Sequence, residues 1–449
     1  MEAIKFDVFV IGAGSAGQAV AQNCAKAGLK VGITERKLYG GTCPLRGCDP
    51  KKALLSATEV IEMAKNMQGN GVLKQPTISW KAMQKFKNKF TKEVPKASEN
   101  GLIAAGITTY KEEASFINEN TLALGSTVIE AKHIVIATGY KPRPLPVEGA
   151  LYLKNSEDFL SLKKLPKHIV FIGAGYIGME FAHIAARAGA KVTVVQKDES
   201  PLTGFDTDLV HKLTEYSKKI GINFYFNAEV TEIKKRKKKY NIYFNQDNKE
   251  LHIKANLVIN AAGRVPAIDH LNLEKANIAF SEKGIVVNDY LQSSSNALVY
   301  ACGDVSEHGL PLTSMTGPEA NTVSENIIYG NKVKINTPTI PSVVFTLPNI
   351  ASVGLLEEEA KKRYKNIIVH YDSAENWFSA KRINAPVYAF KVIVNERTKV
   401  IVGAHLIAPH AGETINLFAM AIRNKMNTDD IKNIVFTYPS WSYDLNSMM

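Results

Sequence analysis

Residues 40–52 read Gly-Gly-Thr-Cys-Pro-Leu-Arg-Gly-Cys-Asp-Pro-Lys-Lys, and the rest of the chain makes sense around them. The stretch holds two of the four cysteines, Cys43 and Cys48, set between glycines and followed by Pro50 and Lys51. A helix running on through Ala53 to Met63 would bring both sulfurs within about one and a half turns of each other. Such a pair can form a disulfide that a hydride donor opens, and a thiolate near a helix N-terminus has a depressed pKa. The alternative is two inert structural cysteines, since Cys is among the most buried residue types.

The N-terminal segment bears on that choice. Asp7 to Ile11 reads as a strand, Gly12-Ala13-Gly14-Ser15-Ala16-Gly17 as a turn, and the Ala-rich run to about Ala27 as a helix capped by Gly28. A second strand follows through Val31 to Thr34 and ends at Glu35. This is a dinucleotide fingerprint in its required context. Gly12 permits the tight turn, Gly14 lets the backbone approach a pyrophosphate, and Gly17 lets the helix lie close to the sheet. Ser15 opens the helix, whose N-terminal amides favour phosphate. Glu35, 23 positions after Gly12, is placed to accept ribose hydroxyls.

The pattern returns 161 residues later. Ile169 to Ile172 is a strand, Gly173-Ala174-Gly175-Tyr176-Ile177-Gly178 the turn, Met179 to Ala188 a helix and Lys191 to Val195 the next strand. Two units of one design imply two dinucleotides held together, hence electron transfer between them. The second unit's strand ends Val195-Gln196-Lys197. No acid stands at the position that would hold a ribose 2′-hydroxyl, and Lys197 is placed to meet a 2′-phosphate. NADPH is expected over NADH.

Composition sets the bounds. The chain has 449 residues, enough for two to four domains, with 45% hydrophobic and 22% charged residues, an ordinary globular mixture. Four cysteines in this length do not make a secreted disulfide framework. No N-terminal targeting signal is visible and no apolar run is long enough to span a bilayer, so a cytoplasmic protein is expected. The formal charge of +12 is concentrated in lysine-rich patches at 81–96 and 234–239. The second patch lies between the alternating segments Glu229 to Ile233 and Tyr240 to Phe244, and reads as a solvated hairpin tip. Nucleic-acid binding remains a minor alternative on charge alone, with no aromatic platform or zinc-type spacing beside it.

Between the two nucleotide units lie a lysine-rich helical stretch, about 77–101, and short alternating strands from Ile107 to Ile136. The last of these ends in Ala137-Thr138-Gly139, and prolines from Pro142 to Pro146 mark a crossover. A similar strand and turn, Leu257 to Gly263, closes the second unit with Arg264 and Pro266. Val299 to Ala301 leads into Cys302-Gly303-Asp304, with a helix expected through Pro318 to Tyr329. From Thr337 the character changes to strand-like runs at Ser342 to Phe345, Ala389 to Val394 and Val400 to Ile407. These alternate with helical runs at Glu357 to Tyr364 and Glu413 to Arg423, as in an α/β domain built on an antiparallel sheet.

With the cysteine pair, both fingerprints and Cys302-Gly303-Asp304 in place, the chain resembles the FAD-dependent pyridine nucleotide–disulfide oxidoreductases, the group of glutathione reductase, dihydrolipoamide dehydrogenase and mercuric reductase. The resemblance covers essentially the whole chain. It implies an α/β fold with two Rossmann-like dinucleotide-binding domains and a C-terminal α+β dimer-interface domain. The FAD domain would comprise residues 1–147 and 267–335, the NAD(P) domain 148–266 and the dimerisation domain 336–449.

Carried onto matching positions, the resemblance makes Cys43 the interchange thiol and Cys48 the thiol against the flavin. Lys51 and Glu180 would meet beside flavin N5, with a solvated lysine and a helix-surface acid as the plain alternatives. Tyr176 would cover the nicotinamide pocket, its alternative being a core aromatic. Asp304 would hold the ribityl chain, and Thr313 to Gly317 would face the isoalloxazine. Thr42, Thr138, Gly139, Gly263 and Arg264 complete the expected cofactor contacts, and no metal site is expected. Cys24 and Cys302 are read as packing residues.

The C-terminus departs from the commoner pattern. In the stretch Phe436-Thr437-Tyr438-Pro439-Ser440-Trp441-Ser442-Tyr443, Tyr438 stands where most members have a histidine and Tyr443 where they have a glutamate. Mercuric reductases also carry a tyrosine there, but add a C-terminal cysteine pair that is missing from Asn446-Ser447-Met448-Met449. Gln22 stands where glutathione reductases have an arginine. The expected activity is hydride transfer from NADPH through FAD to Cys43–Cys48 and on to a small disulfide, in a homodimer that shares its active site between subunits. The alternatives are a lipoamide dehydrogenase, a mercuric or quinone reductase, or a non-enzymatic component whose basic surface holds an acidic partner.

Overall fold

The computed structural model describes residues 2–336 and 339–449, so the expected change of character at Thr337 falls just outside them. The chain divides into two compact units. The first comprises residues 1–53, 84–143 and 264–337, and the second residues 54–83, 144–263 and 338–449.

The first unit is built on a seven-stranded sheet. Strand β1 (Ile4–Ile11) is central, pairing in parallel with β2 (Val31–Thr34) on one side and Thr127–Ile136 on the other. Thr108–Tyr110 extends the sheet beyond β2, and Val299–Ala301 pairs in parallel with Thr127–Ile136. Antiparallel strands Thr121–Leu124 and Ala114–Phe116 complete it. The near-continuous apolar run of β1 fits a strand covered on both faces. One face packs on helix α1 (Ser15–Lys26) through Val8, Val10, Ala16, Val20 and Cys24, and the other buries Phe9, Ile11, Ile134 and Ile136.

The second unit contains three sheets. A four-stranded parallel sheet runs Ile222–Tyr225, Lys191–Val195, His168–Ile172, Leu257–Asn260, which is the second nucleotide unit expected from the repeat. A three-stranded antiparallel sheet carries the basic hairpin. Its strands, Ala228–Arg236 and Lys239–Gln246, extend into the lysine run, leaving Lys237 and Lys238 at the tip. The third is a five-stranded antiparallel sheet ordered Ser342–Val344, Asn349–Gly354, Ile401–Ala408, Ala389–Asn395, Ile367–Ser373, covered by the helix Ala411–Arg423. On this sheet Lys391 is buried, with its Nζ 2.8 Å from Asp206, 2.6 Å from Asp208 and 3.0 Å from Glu357.

Two expectations change. The cysteine segment is two helices, α2 (Thr42–Arg46) and α3 (Cys48–Asn66), because the backbone leaves helical geometry at Gly47 (φ −138°, ψ −112°). The lysine-rich stretch is also two helices, Trp80–Thr91 and Val94–Ala104. Pro95 stands in the first turn of the second, where its missing N–H removes no helical bond. The helix expected through Pro318 to Tyr329 begins at Thr313 and carries Pro318 inside it. Among the described residues no helix is long and apolar enough to cross a membrane.

Candidate active site

The first glycine turn and the cysteine segment are packed backbone against backbone. Gly12 has φ +104°, and a Cβ there would sit 2.4 Å from the Ala137 carbonyl oxygen. Gly41 has φ +76°, and a Cβ there would meet the Cα of Gly14 at 2.5 Å. Only glycine tolerates both demands. The Gly40 N–H donates to the Ala13 carbonyl at 3.1 Å, so Thr42 and Cys43 follow directly from a segment stapled to the turn. Gly303 joins the same cluster, since a Cβ there would lie 3.2 Å from that of Ala16. Glu35 is buried behind the turn, its Oε2 accepting the Ala13 N–H at 3.0 Å and its Oε1 the Lys37 N–H at 2.8 Å.

Cys43 lies in α2 and Cys48 opens α3; both are thiols in the structure. Their environments drive them apart. A hydrogen bond from Cys43 pulls the Cys48 thiol down to about 6, against the cost of burial, with Thr313 and the Lys51 charge acting in the same direction. The same bond, and then burial, push the Cys43 thiol up. Thr313 Oγ1 is 3.7 Å from Cys48 Sγ, at the first turn of the helix Thr313–Tyr329. The reduced pair therefore carries its charge on Cys48 and its proton on Cys43. Cys24 and Cys302 are fully buried, and burial pushes Cys24 up to about 12 and Cys302 higher.

Other expected residues of this unit lie in their predicted local settings. Thr138 Oγ1 is buried and, among the described residues, has no hydrogen-bond partner; Gly139 follows with φ +66°. Arg264 donates from its guanidinium to the Tyr140 carbonyl. Asp304 lies in a short 3-10 turn; burial raises its carboxyl and the Arg264 charge lowers it.

The second glycine turn repeats the first. Gly173 has φ +101°, its missing Cβ falling 2.6 Å from the Ala261 carbonyl oxygen, and a Cβ on Gly178 would meet the Gly173 oxygen at 2.1 Å. Gly175 precedes the helix Tyr176–Arg187 in extended conformation, as Gly14 precedes α1. Gly263 has φ +103° beyond the strand Leu257–Asn260. Tyr176 is 51% exposed, which excludes a core aromatic. Glu180, by contrast, is 1% exposed, which excludes a helix-surface acid, and its Oε1 accepts the Phe345 N–H at 2.8 Å. Lys51 belongs to the first unit and Glu180 to the second.

Lys197 is exposed, beside a feature the sequence reading passed over. Gln196 is buried, its Oε1 accepting the Ala174 N–H at 2.9 Å while its Nε2 donates to Asp198 Oδ2 at 2.5 Å. An acid is therefore held two residues beyond the ribose position. Its signal was the acid at i+2 from Gln196. Sequence reasoning also missed Glu319, which accepts the Gly303 N–H at 2.6 Å across 16 positions, a bond no spacing signals. In the C-terminal region Tyr438 is 63% exposed, edge-on to Tyr443 with ring centroids 4.9 Å apart and stacked at 6.3 Å on Phe378.

These features are those of a flavin- and nicotinamide-linked dithiol enzyme. The family model described as pyridine nucleotide-disulphide oxidoreductase matches residues 6–324, and that of the family's dimerisation domain matches residues 340–449. The chain belongs to this family, whose members are FAD-dependent disulfide oxidoreductases working with NAD(P)H. It is 30% identical to a mercuric reductase of Bacillus cereus over 96% of this chain and 69% of that protein. It is 29% identical to a glutathione reductase of Burkholderia cepacia over 98% of this chain and 97% of that protein. Among solved structures it is similar to the Cu(II) complex of the HOCl-induced flavoprotein disulfide reductase RclA from Escherichia coli, with TM-score 0.88 and 27% identity over 98% of this chain and 99% of that one.

Proposed function

We propose that this chain forms a homodimeric reductase that passes a hydride from NADPH through FAD to a Cys43–Cys48 disulfide, and then reduces a small disulfide. The observation that carries the reading is the proton asymmetry of the pair, with Cys48 pulled down to about 6 and Cys43 pushed up. It suits Cys48 to remain a thiolate against a flavin, while Cys43, the thiol that exchanges with substrate, must give up its proton before it attacks a disulfide. The net reaction converts NADPH, a proton and one disulfide into NADP+ and two thiols.

The residues of the first unit fit FAD. The Gly12–Gly17 turn leaves the N-terminus of α1 without a side-chain cap, Gly14 has no close neighbour besides Gly41, and the Thr138 hydroxyl is buried awaiting a partner. In this reading the amides at Gly14 and Ser15 bind the pyrophosphate, Glu35 and Thr42 lie along the adenosine and pyrophosphate, and Asp304 accepts from the ribityl hydroxyls. When bound, FAD supplies a two-electron relay between nicotinamide and disulfide. Lys51 and Glu180 set the charge beside its N5, Tyr176 swings to admit the nicotinamide, and Lys197 meets the 2′-phosphate. The FAD domain comprises residues 1–147 and 267–335, the NAD(P) domain 148–266 and the dimer interface 336–449.

Tyr438, exposed together with Ile434, Val435 and Phe378, would reach the partner subunit's disulfide in the dimer. A tyrosine starts protonated near pKa 10 and is a poor base, so deprotonating Cys43 or an incoming thiol is not its task. That observation favours a second reading, in which the acceptor is a metal ion or quinone that takes electrons without thiol exchange. NADPH consumption measured against a panel of disulfides, quinones, Hg2+ and Cu2+ separates the two. Turnover with a disulfide supports the first reading, and turnover with metals or quinones alone supports the second.

A further inference from the structure

Glu319 follows Pro318 on the helix Thr313–Tyr329 and is 2% exposed. Its Oε2 accepts the Gly303 N–H at 2.6 Å. Gly303 has φ +73°, a left-handed conformation, and is followed directly by Asp304. Glu319 thus holds the peptide from which the Asp304 side chain is hung. Pro318 lacks the N–H that would reach the Ser314 carbonyl, so this helix is internally unsatisfied one residue before the acid.

A carboxylate at this depth is unfavourable unless it is paired. Burial pushes Glu319 up to about 7, the Gly303 N–H pulls it down, and the Asp304 charge adds to the rise. Asp304 is itself raised by burial and lowered by Arg264. Tyr140, raised by burial and then by the Asp304 charge, lines a cleft with Asp304, Lys283, Glu307 and His308, while the thiols of Cys302 at the strand end and Cys24 on α1 are buried and neutral. Glu319 is therefore a buried carboxyl and Asp304 a half-buried one whose charge acts on it, and such a pair resists double ionisation.

We propose that Glu319 is a positioning residue for the flavin: its carboxyl fixes the Gly303 peptide and takes the proton of the Glu319–Asp304 pair, leaving Asp304 ionised to accept from the ribityl hydroxyls. This rests on the flavin-site reading above. Below neutrality the pair already holds that proton; above it, where Glu319 ionises, FAD uptake draws one proton from solvent onto Glu319, with no electrons moved. The cofactor is held tightly below neutrality and released more readily above it.

The experiment is FAD release from the holoenzyme on dilution, followed by flavin fluorescence between pH 6 and 8.5. The wild-type dissociation constant should rise by about tenfold or more over that range, with a slope of at most about tenfold per pH unit, the limit for linkage to one proton. Glu319→Gln is neutral at every pH and keeps an amide oxygen for the Gly303 N–H, so its dissociation constant should stay at the wild-type low-pH value throughout. Glu319→Ala, checked for folding by circular dichroism, should release FAD readily at all pH values. A Glu319→Gln variant that follows the wild-type curve, or a folded Glu319→Ala variant that retains FAD like wild type at pH 6, overturns the proposal. A wild-type protein that carries no flavin at any pH contradicts the flavin-site reading instead.

Discussion

Gln196 binds the Ala174 amide through its side-chain oxygen and holds the Asp198 carboxylate with its side-chain nitrogen. In the first nucleotide unit Glu35 makes the matching bond to Ala13 through a carboxylate. The same scaffold position thus carries a charge in one unit and a neutral amide in the other, and the displaced acid of the second unit stands beside Lys197. Coenzyme choice at this site becomes a contest between an exposed ammonium and a held carboxylate.

NADPH is expected to give the higher kcat/KM, and Lys197→Glu should narrow or invert its advantage over NADH. A charge-assisted contact to phosphate is worth about 1.5–3 kcal/mol, or roughly tenfold or more in specificity. Asp198→Asn should move the ratio the other way, by removing a like charge from the phosphate's surroundings. Steady-state kinetics with both coenzymes measures each shift, and ratios unchanged in both variants would place the 2′-phosphate elsewhere.

The thiol asymmetry predicts a spectrum. Cys48→Ser should abolish the long-wavelength thiolate–flavin absorbance, and Cys43→Ser should enhance it in the oxidised enzyme. Because Cys48 is pulled down to about 6, chiefly by the Cys43 hydrogen bond, the band in the reduced enzyme should persist at neutral pH and fade as the pH falls through about 6, and Cys43→Ser should keep that profile only if the serine hydroxyl takes over the bond. A band lost in Cys43→Ser and kept in Cys48→Ser would reverse the two roles.

Much of this was legible in the sequence, for physical reasons that also mark its limits. The two glycine turns announce themselves because Gly12 and Gly173 must adopt positive φ under a carbonyl, which restricts the residue type. The break at Gly47 was not legible, since Thr42–Arg46 and Cys48–Asn66 each read as helix and only the backbone between them shows the turn. The helix through Pro318 was legible although a proline inside a helix is disfavoured, and buried Met315 and Ala320 lie on either side of it; its start at Thr313 was not. Glu319 is read from a long-range hydrogen bond that no spacing encodes, whereas Asp198, two residues beyond Gln196, was within reach of the sequence.

Lys391 predicts a stability defect. Lys391→Met would leave Asp206, Asp208 and Glu357 clustered without their shared cation. Removing one partner of a buried ionic group is expected to cost about 3–5 kcal/mol. Urea denaturation at pH 7.5 should show this loss, and a loss below about 1 kcal/mol would mean that solvent, not Lys391, holds the carboxylates.

Tyr438→Phe keeps the ring against Tyr443 and Phe378 and removes the hydroxyl. A proton-donating role predicts a roughly tenfold or greater loss in disulfide turnover, with flavin reduction by NADPH intact. Unchanged turnover with the best acceptor would leave Tyr438 as a packing residue. Activity in the lipoamide-oxidising direction should be weak in the wild type, because that direction needs a base.

The account turns on electrons reaching the Cys43–Cys48 pair from NADPH, and thiol counting tests that most directly. Anaerobic NADPH should raise the thiols titratable with Ellman's reagent in the native oxidised protein by two per chain, those of Cys43 and Cys48, and the gain should vanish in Cys43→Ser. A flavin that bleaches with NADPH while the thiol count stays constant would contradict the account and leave the two cysteines as structural residues.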